Sequence, residues 1–380
     1  MSGAMLLAAS LPAGEDTTQQ LTRIWENLLG IRPIERDQNY FDLGGDSILA
    51  VQMFAQIEQM FQVKLPVAML FEAPTIAELS QILSREAPKT RWSSLVTIQP
   101  KGSRPPFFCM HGAGGNVLIY RELSNHLGED QPFYGLQSQG LDGNSEPLTR
   151  IEDMAAAYVR EMRRIQPQGP YYLGGYCLGG TIAYEVAQQL RARGEEVALL
   201  AMFDTLNWCK LPALNIRTKT RMGFEKIGFH ALNFLRLDRE GMRIFVQEKF
   251  TALCNRIPVW RGILQAKLSG KRESTGSRSM VLGRIWAGND RASMDYVPKA
   301  YPGIVIDFRP LKQYSIYQRP DLKWERLALG GQQIVELTVY PAGMLVEPFV
   351  KSLADELKKS IEATFLAQEG KMERRDGTRG

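Results

Sequence analysis

The chain of 380 residues is 44% hydrophobic and 23% charged, too long for one average domain and too ordinary in composition for a disordered, fibrous or membrane-embedded protein, so two soluble globular domains are predicted. Its 46 Lys and Arg against 41 Asp and Glu leave a formal charge of +5, spread along the length, which makes no case for nucleic acid or an anionic membrane as the main partner. Four cysteines, Cys109, Cys177, Cys209 and Cys254, form no CxxC pair and stand near no histidine cluster, which argues against a zinc site or a disulfide scaffold and fits a reducing cytoplasm.

Residues 1–15 lack the basic start and long apolar core of a signal peptide and read as a linker or an expression remnant. A small all-α bundle is predicted over residues 16–85. Leu21, Ile24, Trp25 and Leu28 recur at helical spacing until Gly30 and Pro33 break the run. After Gly44, Gly45 and Asp46, a second helical face carries Ile48, Val51, Phe54, Ile57 and Phe61. Leu65 to Phe71 suits a short helix, and Thr75 caps a last one bearing Ile76, Leu79 and Leu83. Residues 86–96, with Pro88 and several charges, read as an interdomain linker.

Over residues 97–368 short apolar runs alternate with amphipathic stretches. Strands are expected at 106–110, 133–136, 171–173, 197–203, 304–308 and 335–340, and helices at 151–165, 181–193 and 346–365. That alternation predicts a parallel sheet covered on both faces. The strand rhythm stops over about 207–279, which reads as a helical lid inserted over the carboxyl edge of the sheet. Residues 369–380 read as a flexible tail.

Two motifs carry chemistry. The first, Asp42-Leu43-Gly44-Gly45-Asp46-Ser47-Ile48, sets a serine at the start of a helix behind a two-glycine turn. Helix N-terminal amides favour an anion such as a phosphate ester, although a plain N-cap serine is the ordinary reading of the local sequence. Together with Phe71-Glu72-Ala73-Pro74-Thr75, the segment resembles the acyl and peptidyl carrier domains of polyketide and nonribosomal peptide synthases. The resemblance implies 4′-phosphopantetheine on Ser47, with Asp46 in the attachment site, and a phosphopantetheinyl transferase and upstream synthase modules as partners.

The second motif, Gly175-Tyr176-Cys177-Leu178-Gly179-Gly180, lies between a predicted strand and a predicted helix. A nucleophile with glycine two residues to either side is the elbow of the α/β-hydrolase fold, where the tight turn tolerates only small flanks. Cysteine replaces the usual serine, and its place at a helix N-terminus predicts a lowered thiol pKa. The apolar strand ending in Met110 leads into His111-Gly112-Ala113-Gly114-Gly115, whose Ala113 or Gly112 amide is expected to form an oxyanion hole with the Leu178 amide. Asp204, at the end of the next strand, is expected as the orienting acid. These features resemble a type I thioesterase, the releasing domain of modular synthases, with an α/β-hydrolase fold, a helical lid and a cysteine nucleophile.

That family places its catalytic histidine just before the segment matching Met344-Leu345-Val346-Glu347-Pro348. Here Ala342 holds that slot, and no histidine follows His230. His111 belongs to the oxyanion loop, and His126 and His230 read as structural. Three explanations compete: a deliberate His→Ala change, a natural enzyme without the histidine, or a pseudoenzyme that tethers acyl chains. We favour the first. The expected function is transfer of a carrier-bound acyl or peptidyl thioester to Cys177, with release by hydrolysis, cyclisation or condensation impaired by Ala342.

Overall fold

The computed structural model describes residues 16–45, 47–84, 92–143, 145–210, 216–239, 241–243, 245–246, 278–341 and 343–376. Asp46, Ala342, Cys254, residues 1–15 and much of the expected linker and lid lie outside them. The chain divides into two compact units, the second beginning at Trp92.

The first unit holds α1 (Thr17–Leu29), α2 (Ser47–Phe61), a 3-10 turn (Val67–Phe71) and α3 (Ile76–Ser84). Leu21, Ile24 and Trp25 of α1 meet Phe54 and Ile57 of α2 and Ile76 and Leu79 of α3 in one buried core, the apolar stripe of each helix facing inward. Gly30 stops α1 in a left-handed conformation, φ 70°, with its N–H bonded to Glu26 O. At the start of α3 the Thr75 N–H donates to Glu78 Oε2 at 3.1 Å and the Glu78 N–H returns to Thr75 Oγ1 at 3.2 Å, a capping box.

The second unit is built on a seven-stranded sheet ordered β1-β3-β2-β4-β5-β6-β7. Its strands are β1 (Leu95–Gln99), β2 (Phe107–Met110), β3 (Phe133–Leu136), β4 (Tyr171–Tyr176), β5 (Val197–Phe203), β6 (Val305–Pro310) and β7 (Gln332–Leu337). The helices are α4 (Arg121–Leu127), α5 (Ile151–Ile165), α6 (Leu178–Ala192), α7 (Ile216–Leu235), α8 (Arg278–Asp295) and α9 (Val350–Asp376). Helices α5 and α6 share a core with Phe108 and Met110 of β2 and Leu173 of β4. Helices α4 and α9 pack on each other, and α9 also meets β5. The central strands are thus buried throughout, as a sheet covered on both faces requires.

Four expectations are corrected. The sheet is mixed, because β1 runs antiparallel to β3, and β1 begins at Leu95, inside the segment expected as linker. An edge strand of five residues gives too short an apolar run to announce itself. Strand β7 runs three residues earlier than its apolar signal, since its ladder to β6 recruits the polar Gln332 and Gln333 while Val339 and Tyr340 are buried in the following loop. Helix α8 lies almost wholly beyond residue 279, where the expected lid ends. Helix α9 runs on to Asp376, into the expected tail, on good helix formers such as Ala367, Gln368, Glu369, Lys371 and Met372.

Candidate active site and carrier site

In the first unit Gly44 turns with φ 82° and the Gly45 N–H bonds to Tyr40 O at 3.0 Å. A Cβ on Gly45 would collide with the Tyr40 ring, which is itself buried edge-on against Trp25 at 5.3 Å. Glycine here lets the chain pass close to that anchor and enter α2 at Ser47, its first residue. A hydroxyl residue opening a 15-residue helix behind a glycine turn fits a phosphate ester, whose charge the N-terminal amides favour.

In the second unit Cys177 joins β4 directly to α6, whose start at Leu178 is three residues before the one expected from sequence. It takes φ 56° and ψ −115°, a region that costs of order 1–3 kcal/mol for a residue with a side chain. The turn is feasible because Gly175 and Gly179 are bare: a Cβ on either would strike backbone, of Gly179 and of Met110 respectively. The Cys177 N–H is held by Phe203 O of β5 at 2.9 Å. The Leu178 amide, at the first position of α6, favours the charged form of the thiol.

The thiol does not have the lowered pKa expected of it. Burial, with the Asp204 and Asp290 carboxylates adding to it, pushes Cys177 up to about 12, more than the Leu178 amide offsets. One helix terminus is outweighed by desolvation and two negative charges.

Asp204 follows β5, next to β6, with its N–H on Phe308 O at 2.9 Å and φ 43°. Its carboxyl is raised to about 6, chiefly by burial, with Gln313, Lys323 and Arg309 pulling the other way and Asp307 adding to the rise. Gln313 Nε2 donates to Asp204 Oδ1 at 3.5 Å, and Lys323 Nζ donates to Gln313 Oε1. Tyr314 and Tyr317 stand beside this pair, ring centres 5.6 Å apart, and Trp208 meets Tyr317 edge-on at 5.4 Å. The sequence offers no motif for Gln313, Tyr314, Tyr317 or Lys323; their place in the turns after β6 appears only once β6 lies beside β5.

The loop expected to supply an oxyanion amide leaves β2 through His111, which is fully buried. Its Nδ1 donates to Gly112 O at 2.7 Å and its Nε2 accepts from the Tyr158 hydroxyl at 2.8 Å. Burial lowers this imidazole to about 4, so it stays neutral, with both nitrogens engaged in holding the loop. The Gly115 N–H closes on Gly112 O at 2.9 Å, which makes Ala113 and Gly114 the tip of a turn. His126 Nε2 pairs with Glu347 Oε1 at 2.6 Å, tying α4 to the loop before α9, and His230 lies half-buried on α7 next to Phe229.

The loop that carries position 342 is clasped by α7. Asn233, fully buried, accepts from the Tyr340 N–H at 2.8 Å and donates to Tyr340 O at 3.3 Å, while Phe229 stacks on the Tyr340 ring at 5.5 Å.

Comparison with known proteins accords with these two sites. A family model described as a thioesterase domain matches residues 105–218, and one described as a phosphopantetheine attachment site matches residues 19–83. Malpinin synthetase of Mortierella alpina is 43% identical over 187 residues, 49% of this chain and 2% of that protein. A dimodular nonribosomal peptide synthase of Bacillus subtilis (strain 168) is 39% identical over 199 residues, 52% of this chain and 8% of its own length. The chain therefore spans only a small part of these relatives. Among solved structures, the NocB thioesterase domain in covalent complex with a fluorophosphonate nocardicin G analog covers 71% of this chain and 100% of its own, at 20% identity and a TM-score of 0.51, a likeness of fold. Among the described residues no helix is long and apolar enough to cross a membrane. The chain thus joins a helical carrier domain, the site of covalent 4′-phosphopantetheine attachment, to a thioesterase domain of α/β-hydrolase fold.

Proposed function

We propose that the chain accepts a peptidyl thioester presented from Ser47, transfers the acyl group to Cys177, and holds it there because Ala342 stands where release requires a base. Bound at Ser47, 4′-phosphopantetheine supplies the thiol that carries the acyl group. The peptidyl nature of that group is supported by relatives named as nonribosomal peptide synthases, which also supports upstream synthase modules as partners. A phosphopantetheinyl transferase is the partner that would modify Ser47.

The observation that carries the reading is the Cys177 elbow, at φ 56° between β4 and the first residue of α6, with the Asp204 carboxylate in its field. In the transfer step a bond forms between Cys177 Sγ and the acyl carbon, the donor C–S bond breaks, and the thiol proton passes to the departing sulfur. One thioester replaces another, so the step is nearly balanced and needs no lasting proton acceptor. Amides of Leu178 and Ala113 stabilise the oxyanion. Release differs: water, a hydroxyl or an amine must lose a proton as it attacks, and Asp204 has no imidazole to orient.

The neutral state of the Cys177 thiol favours a second reading, a domain that tethers acyl chains without forming a bond to them. Loading Ser47 with a synthetic peptidyl-pantetheine and mapping the acyl mass separates the two. Mass on Cys177, lost in Cys177→Ala, supports transfer; mass confined to Ser47, even with Ala342→His, supports tethering.

A further inference from the structure

Helix α8 lies against one face of the loop that follows β2. Asn289, only 1% exposed, donates from Nδ2 to Ala113 O at 3.0 Å. One turn earlier, Ile285 and Trp286 cover the glycines of the same loop. A Cβ on Gly114 would sit 3.4 Å from the Trp286 ring, and one on Gly115 only 2.8 Å from Ile285. The Gly112–Gly115 turn is therefore held from inside by its own hydrogen bond and from outside by α8.

We propose that Asn289 is a positioning residue that fastens the lid helix to the oxyanion loop, so that the Ala113 peptide is set for the acyl oxygen while α8 is seated. The proposal rests on the reading of Cys177 as nucleophile and Ala113 as oxyanion donor. The tip of a β-turn leaves its leading amide outside the turn's own hydrogen bond, and that amide points wherever the two peptides around it are held. His111 Nδ1 and the Gly115 N–H hold the Gly112 carbonyl, the peptide on one side; on the other, with glycine at the next two positions, the Ala113 carbonyl is the handle, and Asn289 grips it. The orientation of the amide is forced by the contact, because a carbonyl oxygen accepts and only Nδ2 can donate. Asn289 Oδ1 is buried with no protein partner among the described residues, a cost that an apolar side chain packing α8 would avoid.

The test compares two reactions at the same sulfur. Acylation of Cys177 by a synthetic acyl-pantetheine passes through a tetrahedral oxyanion; alkylation by iodoacetamide does not. Asn289→Leu, which keeps bulk, and Asn289→Ala, which relieves any clash, are each followed by intact mass for both reactions. The expected result is an acylation rate lower by roughly tenfold to a hundredfold, by analogy with loss of an oxyanion contact, while alkylation stays within about twofold. A ratio of the two rates unchanged from the parent chain, or both rates falling together, overturns the role of Asn289 and leaves Cys177 as nucleophile. A parent chain that alkylates but never acylates removes the nucleophile reading, and this proposal with it.

Discussion

Gln313 donates to Asp204 across 3.5 Å and itself takes a hydrogen bond from Lys323, so the Asp204 carboxyl is held by an amide and, through it, an ammonium group. Even so supported, Asp204 titrates at about 6, against an ordinary value of 3.8. The folded state therefore binds this proton more tightly than the unfolded chain does. The corresponding stability is present below about pH 4 and is lost as pH rises through 6, a loss of roughly 3 kcal/mol at neutral pH and above. Asp204→Asn keeps an acceptor for Gln313 and removes the charge. It should be more stable than the parent to denaturant at pH 8 by up to that amount, with the gap shrinking as pH falls toward 4. Equal stability at pH 8 would show that the carboxylate is not paying for burial.

The raised Cys177 thiol makes a kinetic prediction of opposite tendency to that of an activated catalytic cysteine. With its pKa near 12, the alkylation rate should climb about tenfold per pH unit from 7 to 10 without a plateau. Because Asp204 contributes to the rise, Asp204→Asn should alkylate faster at every pH in that range. Peptide mapping distinguishes Cys177 from the buried Cys109 and from Cys209. A plateau near pH 7 would contradict the account of the site's electrostatics.

In the carrier domain, Thr75→Ala removes one half of the capping box with Glu78 and should cost about 1 kcal/mol. Read by hydrogen exchange in the full chain, the amides of α3 should lose about fivefold in protection if they exchange by opening of this domain, while those of β4 and β5 are unchanged. No change in α3 would mean that Ile76 and Leu79 alone hold the helix.

The helices of the carrier and the central strands were legible because their patterns are local: Leu21, Ile24 and Trp25 repeat at helical spacing, and Val197 to Phe203 is an unbroken apolar run. The places of Cys177 and Asp204 in the fold were legible for the same reason, each lying at the end of a strand. The edge strands were not, since β1 and β7 are defined by pairing with neighbours more than by their own hydrophobicity. The thiol's pKa was misjudged because sequence shows the helix N-terminus behind Cys177 but not the burial and the two carboxylates around it. Asn289 and Gln313 were invisible for a related reason. Each acts on a residue more than a hundred positions away, and nothing in their own neighbourhoods marks them.

The central claim is that this thioesterase domain acylates but cannot efficiently release, because Ala342 occupies the place of the base. The direct measurement is intact mass over time after adding a synthetic peptidyl-pantetheine thioester to the chain and to Ala342→His. The account predicts that acyl-Cys177 builds toward one equivalent and persists in the chain, but stays low in Ala342→His while free product accumulates. Product formation by the unaltered chain as fast as by Ala342→His, or no Cys177 adduct in either, would contradict it.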